Sequence, residues 1–445
     1  MLLANGRVVN EGRILETDVL IEGERIARIG PGAVPPRTEV LDLEGRYVLP
    51  GLIDDQVHFR EPGSSDKGTI ASESRAAIAG GVTSYLDMPN NSPPAVTRAA
   101  LAEKRAIAAR TSHANYGFYL GATNTNVDEV ARTSVEDAGG IKVFMGASTG
   151  DMLVDDPRTL DAVFAAARLP VATHCENTPM IRDAERRFRE RYGEDVPISA
   201  HPEIRSAEAC YASSSLAVEL AKRHGTRLHV LHLSTARELE LFDRGPVHEK
   251  RITAEVCVHH LWFDQSRYED LGSLIKCNPA IKTAGDREGL LQGIVEDAID
   301  VIATDHAPHT AEEKARRYFE APSGLPLVQH SLAMLLEQHR AGRFSLATIA
   351  EKAAHNPARL FGIVDRGFLR EGYYADLAVV DLEASTTVTR ESLLYRCGWS
   401  PLEGTTFHSS VFMTILNGEP VYRDGAAVPP ARGRALEFRD ASARP

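Results

Sequence analysis

A chain of 445 residues with 43% hydrophobic and 25% charged residues has a globular composition and can bury a substantial core in one large domain or two. Its net charge of −12, with no stripe of Lys and Arg, argues against a nucleic-acid binder, and no apolar run reaches membrane-spanning length. The five cysteines (Cys175, Cys210, Cys257, Cys277 and Cys397) lack paired spacing and the start lacks a leader-like apolar stretch, so a cytoplasmic protein without disulfides is expected.

Residues 1 to about 49 read as short strands with tight turns. Leu2-Leu3 and Val8-Val9 flank Asn5-Gly6, while 19–21 and 26–29 flank Glu22-Gly23, and a turn is expected at each pair. From Val48 the texture becomes strands alternating with helix-length segments. The candidate strands are 48–58, 81–88, 115–121, 140–145, 170–175, 227–233, 251–259 and 300–304. Most are unbroken apolar runs, the pattern of strands covered on both faces. Helical stretches between them include 70–79, 97–109, 157–167, 207–223 and 286–299.

Eight strands and intervening helices over roughly 250 residues predict an α/β fold, a closed (β/α)8 TIM barrel, with an open doubly wound sheet as the alternative. No G-x-G-x-x-G follows the first strand, so dinucleotide binding has no support. After a helix ending near 356–362 the β texture returns, most clearly at 375–380 and at 411–416, which precedes a turn at Asn417-Gly418. The two β-rich ends, 1–49 and 363–445, are expected to build a small β-sandwich beside a catalytic barrel over 50–362. The tail from Ala441 is expected to be disordered.

A barrel of this kind carries its chemistry at the C-terminal ends of its strands. Strand one surfaces as Asp54-Asp55-Gln56-Val57-His58-Phe59-Arg60, where alternation puts Asp54, Gln56, His58 and Arg60 on one side and turns Asp55 away. Strand two ends in Asp87-Met88-Pro89-Asn90, and strand four buries Lys142, which is costly unless the ammonium is paired or neutralised. Strands five, six and eight end at His174, His232 and Asp305. Any one of these has a plain structural reading: a hydrogen-bonded core histidine, or a helix N-cap for Asp305. Together they place metal-competent side chains at several independent strand ends, the pattern of metal-assisted hydrolysis.

With these residues the chain resembles the amidohydrolase superfamily and, within it, the dihydroorotases. The most specific pieces are His58-Phe59-Arg60-Glu61-Pro62-Gly63 and the run from Ala303 to Lys314, with weaker support from Met88-Pro89-Asn90 and Lys276-Cys277-Asn278-Pro279. The resemblance implies about one to two Zn²⁺ per chain, bridged by a carboxylated Lys142 and held by His58, Asp305, His174 and His232. It implies hydrolysis of the ring amide of L-dihydroorotate, reversible to N-carbamoyl-L-aspartate in pyrimidine biosynthesis, with Asp305 as the base and then the acid. Arg60, Asn90 and His309 would grip the substrate's carboxylate, a role that suits the fork of a guanidinium. Asn278 would contact the substrate too, while His306 should point away. The family also implies a homo-oligomer, a dimer or larger, with aspartate transcarbamoylase as a candidate partner.

Two departures stand out. Gln56 takes the place of the first His in the family's His-x-His, and a neutral amide is a weaker zinc ligand, so a looser first metal position is expected. Pro279-Ala280-Ile281-Lys282 replaces a run that in the family often ends in Arg. The alternatives are another cyclic amidohydrolase (dihydropyrimidinase, hydantoinase or allantoinase), against which Arg60 and His309 argue, and a non-catalytic scaffold. The loop 146–156 is a candidate lid.

Overall fold

The structure, a computed structural model, describes residues 1–146, 152–428 and 432–440. Residues 147–151 of the candidate lid and the tail from Ala441 lie outside the described residues.

The chain opens in strands: β1 (Leu2–Asn10), β2 (Arg13–Glu22), β3 (Arg25–Ile29), β4 (Val40–Asp42) and β5 (Tyr47–Pro50). Glu11 and Gly12, with φ of 47° and 78°, turn β1 into β2, and Gly23 turns β2 into β3. Asn5 is also left-handed, at φ 56°, but it lies at a register shift inside β1. The expected turn at Asn5-Gly6 is therefore an irregularity within one continuous strand. Tolerance of left-handed backbone suits Asn-Gly to a bulge as well as to a hairpin.

The barrel follows. Its strands are β6 (Leu52–Val57), β7 (Val82–Asp87), β8 (Asn115–Gly121), β9 (Gly140–Phe144), β10 (Val171–His174), β11 (Leu228–Val230), β12 (Ile252–Cys257) and β13 (Val301–Ala303), paired in parallel in that order. All residues of β6 to β11 and β13 are buried, as unbroken apolar strands require. The helices between them include Ile70–Ala79, Arg98–Thr111, Pro157–Ala166, Ala207–His224 and Ala284–Val295. Side chains of Thr69, Thr97, Asp156, Ser206 and Thr283 accept a backbone N–H in the first turn of each, satisfying donors a helix start leaves open. The ring closes where His58 N–H donates to the His306 carbonyl (2.7 Å) and Val57 bridges His306. The sheet is thus a barrel rather than an open doubly wound array.

The second half of the β-rich region comprises β14 (Leu377–Asp381), a two-residue pair β15 (Thr386–Thr387) and β16 (Thr406–Phe407), then β17 (Ser410–Leu416), β18 (Glu419–Arg423) and β19 (Ala426–Ala427). Both ends of the chain join one nine-stranded sheet in the order β19-β18-β17-β14-β5-β1-β2-β3, with β4 beside β1. Leu3, Val8, Ile21, Ile26, Leu377, Val379 and Met413 form its own apolar core. The segment after β19 returns to the barrel: Ala435 bridges Tyr116, Phe438 bridges Ile363, and Leu436 packs with Tyr119 and Phe361 at the N-terminal ends of the strands. No helix among the described residues is long and apolar enough to cross a membrane, and all five cysteines are free.

A buried polar knot ties sheet to barrel. The Asp376 carboxylate pairs with Arg366, accepts the Asn417 N–H (2.7 Å) and accepts the Asn115 side-chain amide (3.1 Å) at the start of β8. Asp376→Ala would leave Arg366 buried and unpaired. A loss of about 3–5 kcal/mol is expected in urea denaturation, and a change within about 0.5 kcal/mol would refute the knot's role.

Candidate active site

At the C-terminal ends of the barrel strands lies a cleft enclosing about 410 Å³ of space open to solvent. His58, Arg60, Asn90, Lys142, His174, His232, Asn278 and Asp305 all line it, joined by Gln56, Phe144, Ala307, Ser323 and Gly324. His309 is the one predicted site residue that does not.

Strict alternation explains only part of this arrangement. Asp54 does not share the cleft with Gln56 and His58: its carboxylate accepts the Thr304 hydroxyl (2.6 Å) and backbone N–H groups of Thr304 (3.3 Å) and Gln56 (3.2 Å). A register shift between Asp54 and Val57 against β7 breaks the strand's parity. Arg60 lies beyond the strand at φ 68°, and His232 and Asp305 sit at φ 40° and 46°. Left-handed backbone at non-glycine residues costs about 1–3 kcal/mol each, imposed by the surrounding packing to aim these side chains. Asp55 does turn away, toward His229 (3.2 Å) and Glu255 inside the barrel. Burial alone would lower the His229 pKa, but the two carboxylates hold it at about 9, so an imidazolium sits between them. Glu255 in turn accepts the backbone N–H of His232 (3.0 Å).

Two imidazoles of the cleft are oriented by hydrogen bonds to an oxygen. His58 Nδ1–H donates to Asn90 Oδ1 (2.7 Å), which turns Nε2 toward Asp305 Oδ1 at 2.9 Å. The Gln56 amide donates to that same oxygen at 3.2 Å. His174 Nε2–H donates to Glu176 (3.0 Å), a carboxylate paired with Arg205, and this leaves Nδ1 facing His232 Nε2 at 3.0 Å. Burial lowers the pKa of His174, against the pull of Glu176, and drives that of His232 well below the usual range. Burial pushes Asp305 up, but the hydrogen bond and charge of His58, with His259 and Lys142, outweigh it and keep the carboxyl below its ordinary value.

Lys142 is 1% exposed, and among the described residues its ammonium has no hydrogen-bond or ion-pair partner; it lies 4.8 Å from the centre of the Phe144 ring. Desolvation lowers its pKa to about 8, despite the nearby carboxylates of Asp305 and Glu255.

Three imidazoles, two of them (His58 and His174) oriented by an oxygen at the second ring nitrogen, together with a carboxylate, make the donor set of a zinc-class metal site. Ring nitrogens that stand 2.9–3.0 Å from another ring nitrogen or a carboxylate are donor atoms close enough to share one cation. The orienting pair Glu176–Arg205 was not assigned from sequence; its signal is a Glu two residues beyond His174.

Arg60 Nε–H donates to the Pro308 carbonyl (3.0 Å), and Nη2 stands 3.0 Å from His309 Nε2. His309 Nε2–H donates to the Ser323 carbonyl (3.1 Å) and Nδ1 accepts from Lys67 (3.3 Å). Burial, with the charges of Arg60, Lys314 and Lys67, drives its pKa well below normal, so His309 is a neutral strut behind Arg60. Asn278 accepts from Ser323 Oγ (3.0 Å). Lys314, last residue of the Ala303–Lys314 run, donates to the carbonyls of Lys276, Pro322 and Gly324, each at 3.0 Å, and so fixes the loop that brings Ser323 to the cleft. His306 points away as expected, donating to Glu73 (2.8 Å) and accepting from Leu327 N–H (3.0 Å). Lys282, in place of the family's Arg, turns to the Ala280 carbonyl (2.9 Å) rather than to the cleft wall.

The sequence model of the Amidohydrolase family matches residues 47–421. The chain is 36% identical over 440 residues to the dihydroorotase of Halobacterium salinarum, covering 98% of this chain and 99% of that one. It is 33% identical over 447 residues to the allantoinase of Solibacter usitatus, covering 98% and 96%. Among solved structures, L-hydantoinase (dihydropyrimidinase) from Arthrobacter aurescens superposes with a TM-score of 0.92 at 25% identity, covering 98% and 99%.

Glu176→Gln keeps the size of the His174 partner and removes its charge. Affinity for an added divalent metal, measured by chelator competition, is expected to fall roughly 10–100-fold; an unchanged affinity would exclude the orienting role.

Proposed function

The chain belongs to the amidohydrolase family, and from that premise we propose that it is a dihydroorotase, interconverting N-carbamoyl-L-aspartate and L-dihydroorotate in cytoplasmic pyrimidine synthesis. The observation that carries the choice of substrate is Arg60, a buried guanidinium on the wall of the cleft that also holds the metal donors. An uncharged ring offers such a group no counter-ion, whereas the carboxylate of dihydroorotate matches its charge and its fork.

We assign zinc to His58, Lys142, His174, His232 and Asp305. When bound, it supplies an activated water near neutral pH and polarises the scissile carbonyl. The chain's own residues do the rest. With a pKa near 8, part of Lys142 is free amine at neutral pH, the form that adds carbon dioxide. Carboxylation of that amine releases one further proton, two in all from the ammonium, and converts a cation without a partner among the described residues into an anionic ligand. Asp305, held as a carboxylate by His58, takes the proton of the attacking water and returns it to the leaving ring nitrogen. Ring closure runs the same transfer backwards. Asn90 commits its oxygen to His58, which leaves its NH₂ group to donate to the substrate beside Arg60. Asn278 is the further contact, and the Pro308 carbonyl keeps Arg60 in place with His309 packed behind it. Gln56 keeps its amide on Asp305, where the family has an imidazole, and the first metal position has one ring nitrogen fewer.

The allantoinase and hydantoinase likenesses support a second reading within the same family, hydrolysis of a ring without a carboxylate. A panel of L-dihydroorotate, allantoin, dihydrouracil and hydantoin, assayed on zinc-loaded protein, separates the two. The highest kcat/KM is expected for dihydroorotate; a preference for allantoin would overturn the assignment, and no turnover at all would favour a scaffold. Arg60→Ala should remove about 2–4 kcal/mol of binding to a charged substrate, roughly 30- to 1,000-fold in kcat/KM, while sparing any hydantoin turnover. Equal losses on both substrates would refute the carboxylate role.

A further inference from the structure

The end of β12 carries a second group of donors that the cleft does not use. The one-turn helix Val258–Trp262 turns two consecutive imidazoles, His259 and His260, into the interior, and the segment that follows Ile275 brings Cys277 beside them. All three are buried, at 1%, 3% and 1% exposure, and none lines the cleft.

Their hydrogen bonding is incomplete. His260 Nε2–H donates to the Pro279 carbonyl (3.1 Å), so its Nδ1 is a bare lone pair, buried and without a partner. His259 has no hydrogen bond at either ring nitrogen; the Thr304 backbone stands nearby outside hydrogen-bonding geometry. One of those nitrogens carries a hydrogen, so at least one buried donor is unsatisfied. The other buried histidines nearby differ. His201 bonds Tyr318 and the Cys277 carbonyl, and His306 bonds Glu73 and two backbone N–H groups. The Cys277 thiol makes a weak donor contact to the Pro279 carbonyl (3.2 Å).

We propose that His259, His260 and Cys277 form a separate binding site for a thiophilic divalent cation of the zinc class. One ligand atom from each residue lies within 4.8 Å of the other two. Donors around a tetrahedral zinc stand about 3.3–3.8 Å apart, so the three side chains would draw together on binding. Two imidazoles and a thiolate select Zn²⁺ or Cd²⁺ over Mg²⁺ or Ca²⁺. His260 already has the arrangement of a metal ligand, its second N–H donated to a backbone carbonyl. On binding, the S–H bond breaks, the sulfur–metal bond forms and the proton leaves to solvent. The ion would cross-link the end of β12 to the segment that delivers Asn278 to the cleft, a structural role independent of which ring the enzyme opens.

Cobalt reports on thiolate ligation directly. Chelator-treated full-length protein titrated with Co²⁺ should develop a near-ultraviolet thiolate-to-cobalt charge-transfer band. Cys277→Ser should abolish it, while Cys175→Ser and Cys257→Ser, which alter the two buried thiols closest to the cleft's donors, should keep it. No band in the wild-type protein at saturating Co²⁺, or a band that survives Cys277→Ser, would overturn the proposal. Crystals of the wild-type protein soaked in Cd²⁺ test it without any variant: an anomalous peak bonded to Cys277 Sγ and both imidazoles is expected, and its absence refutes the site.

Discussion

The seam between the first and last barrel strands is the constraint on which the site depends. Asp54, fully buried, joins the two strands through the Thr304 hydroxyl and backbone N–H, while His58 N–H reaches the His306 carbonyl. Burial pushes the Asp54 carboxyl well above the ordinary carboxylate range, and the Thr304 hydroxyl and backbone N–H bonds pull it back. These contacts bring Gln56, His58 and Arg60 from one strand end against Asp305 and His309 from the other. Every pairing that crosses the cleft there, from His58–Asp305 to Arg60–His309, inherits its spacing from that closure.

Electrostatics then sorts groups that would otherwise be costly to bury. Desolvation lowers the pKa values of His174 and His232, and two imidazoles are oriented by one committed N–H each: His58 to Asn90, His174 to Glu176. Just below, His229 stays charged because Asp55 and Glu255 flank it. The contrast arises within one barrel interior from the number of carboxylates in reach. Lys142 is the group whose charge the described surroundings leave unmatched, and it faces the donors that zinc would join.

The fold was readable because its signals are local. Unbroken apolar runs bounded by capped helices mark the eight barrel strands, and His58, Lys142, His174, His232 and Asp305 stand out as polar residues ending or interrupting such runs. What escaped depends on contacts distant in sequence or on irregular backbone. Parity put Asp54 in the cleft, but the register shift before Val57 turned it to the seam. Asn5-Gly6 became an irregularity because β2 pairs with β1 on both sides of it. The return of Leu436 and Phe438 to the barrel has no periodicity to announce it. Arg205 meets Glu176 across 29 residues, and His309 lies behind Arg60 through contacts to Lys67 and Ser323.

A crystal structure of the zinc-loaded protein with N-carbamoyl-L-aspartate tests the central claim most directly. The α-carboxylate should lie on the Arg60 guanidinium within reach of the Asn90 amide, with the side-chain carboxyl beside Asp305 and a carboxylated Lys142 between the zinc positions. A ligand bound with its carboxylate away from Arg60, or zinc held without His58, His174 and His232, would contradict the account.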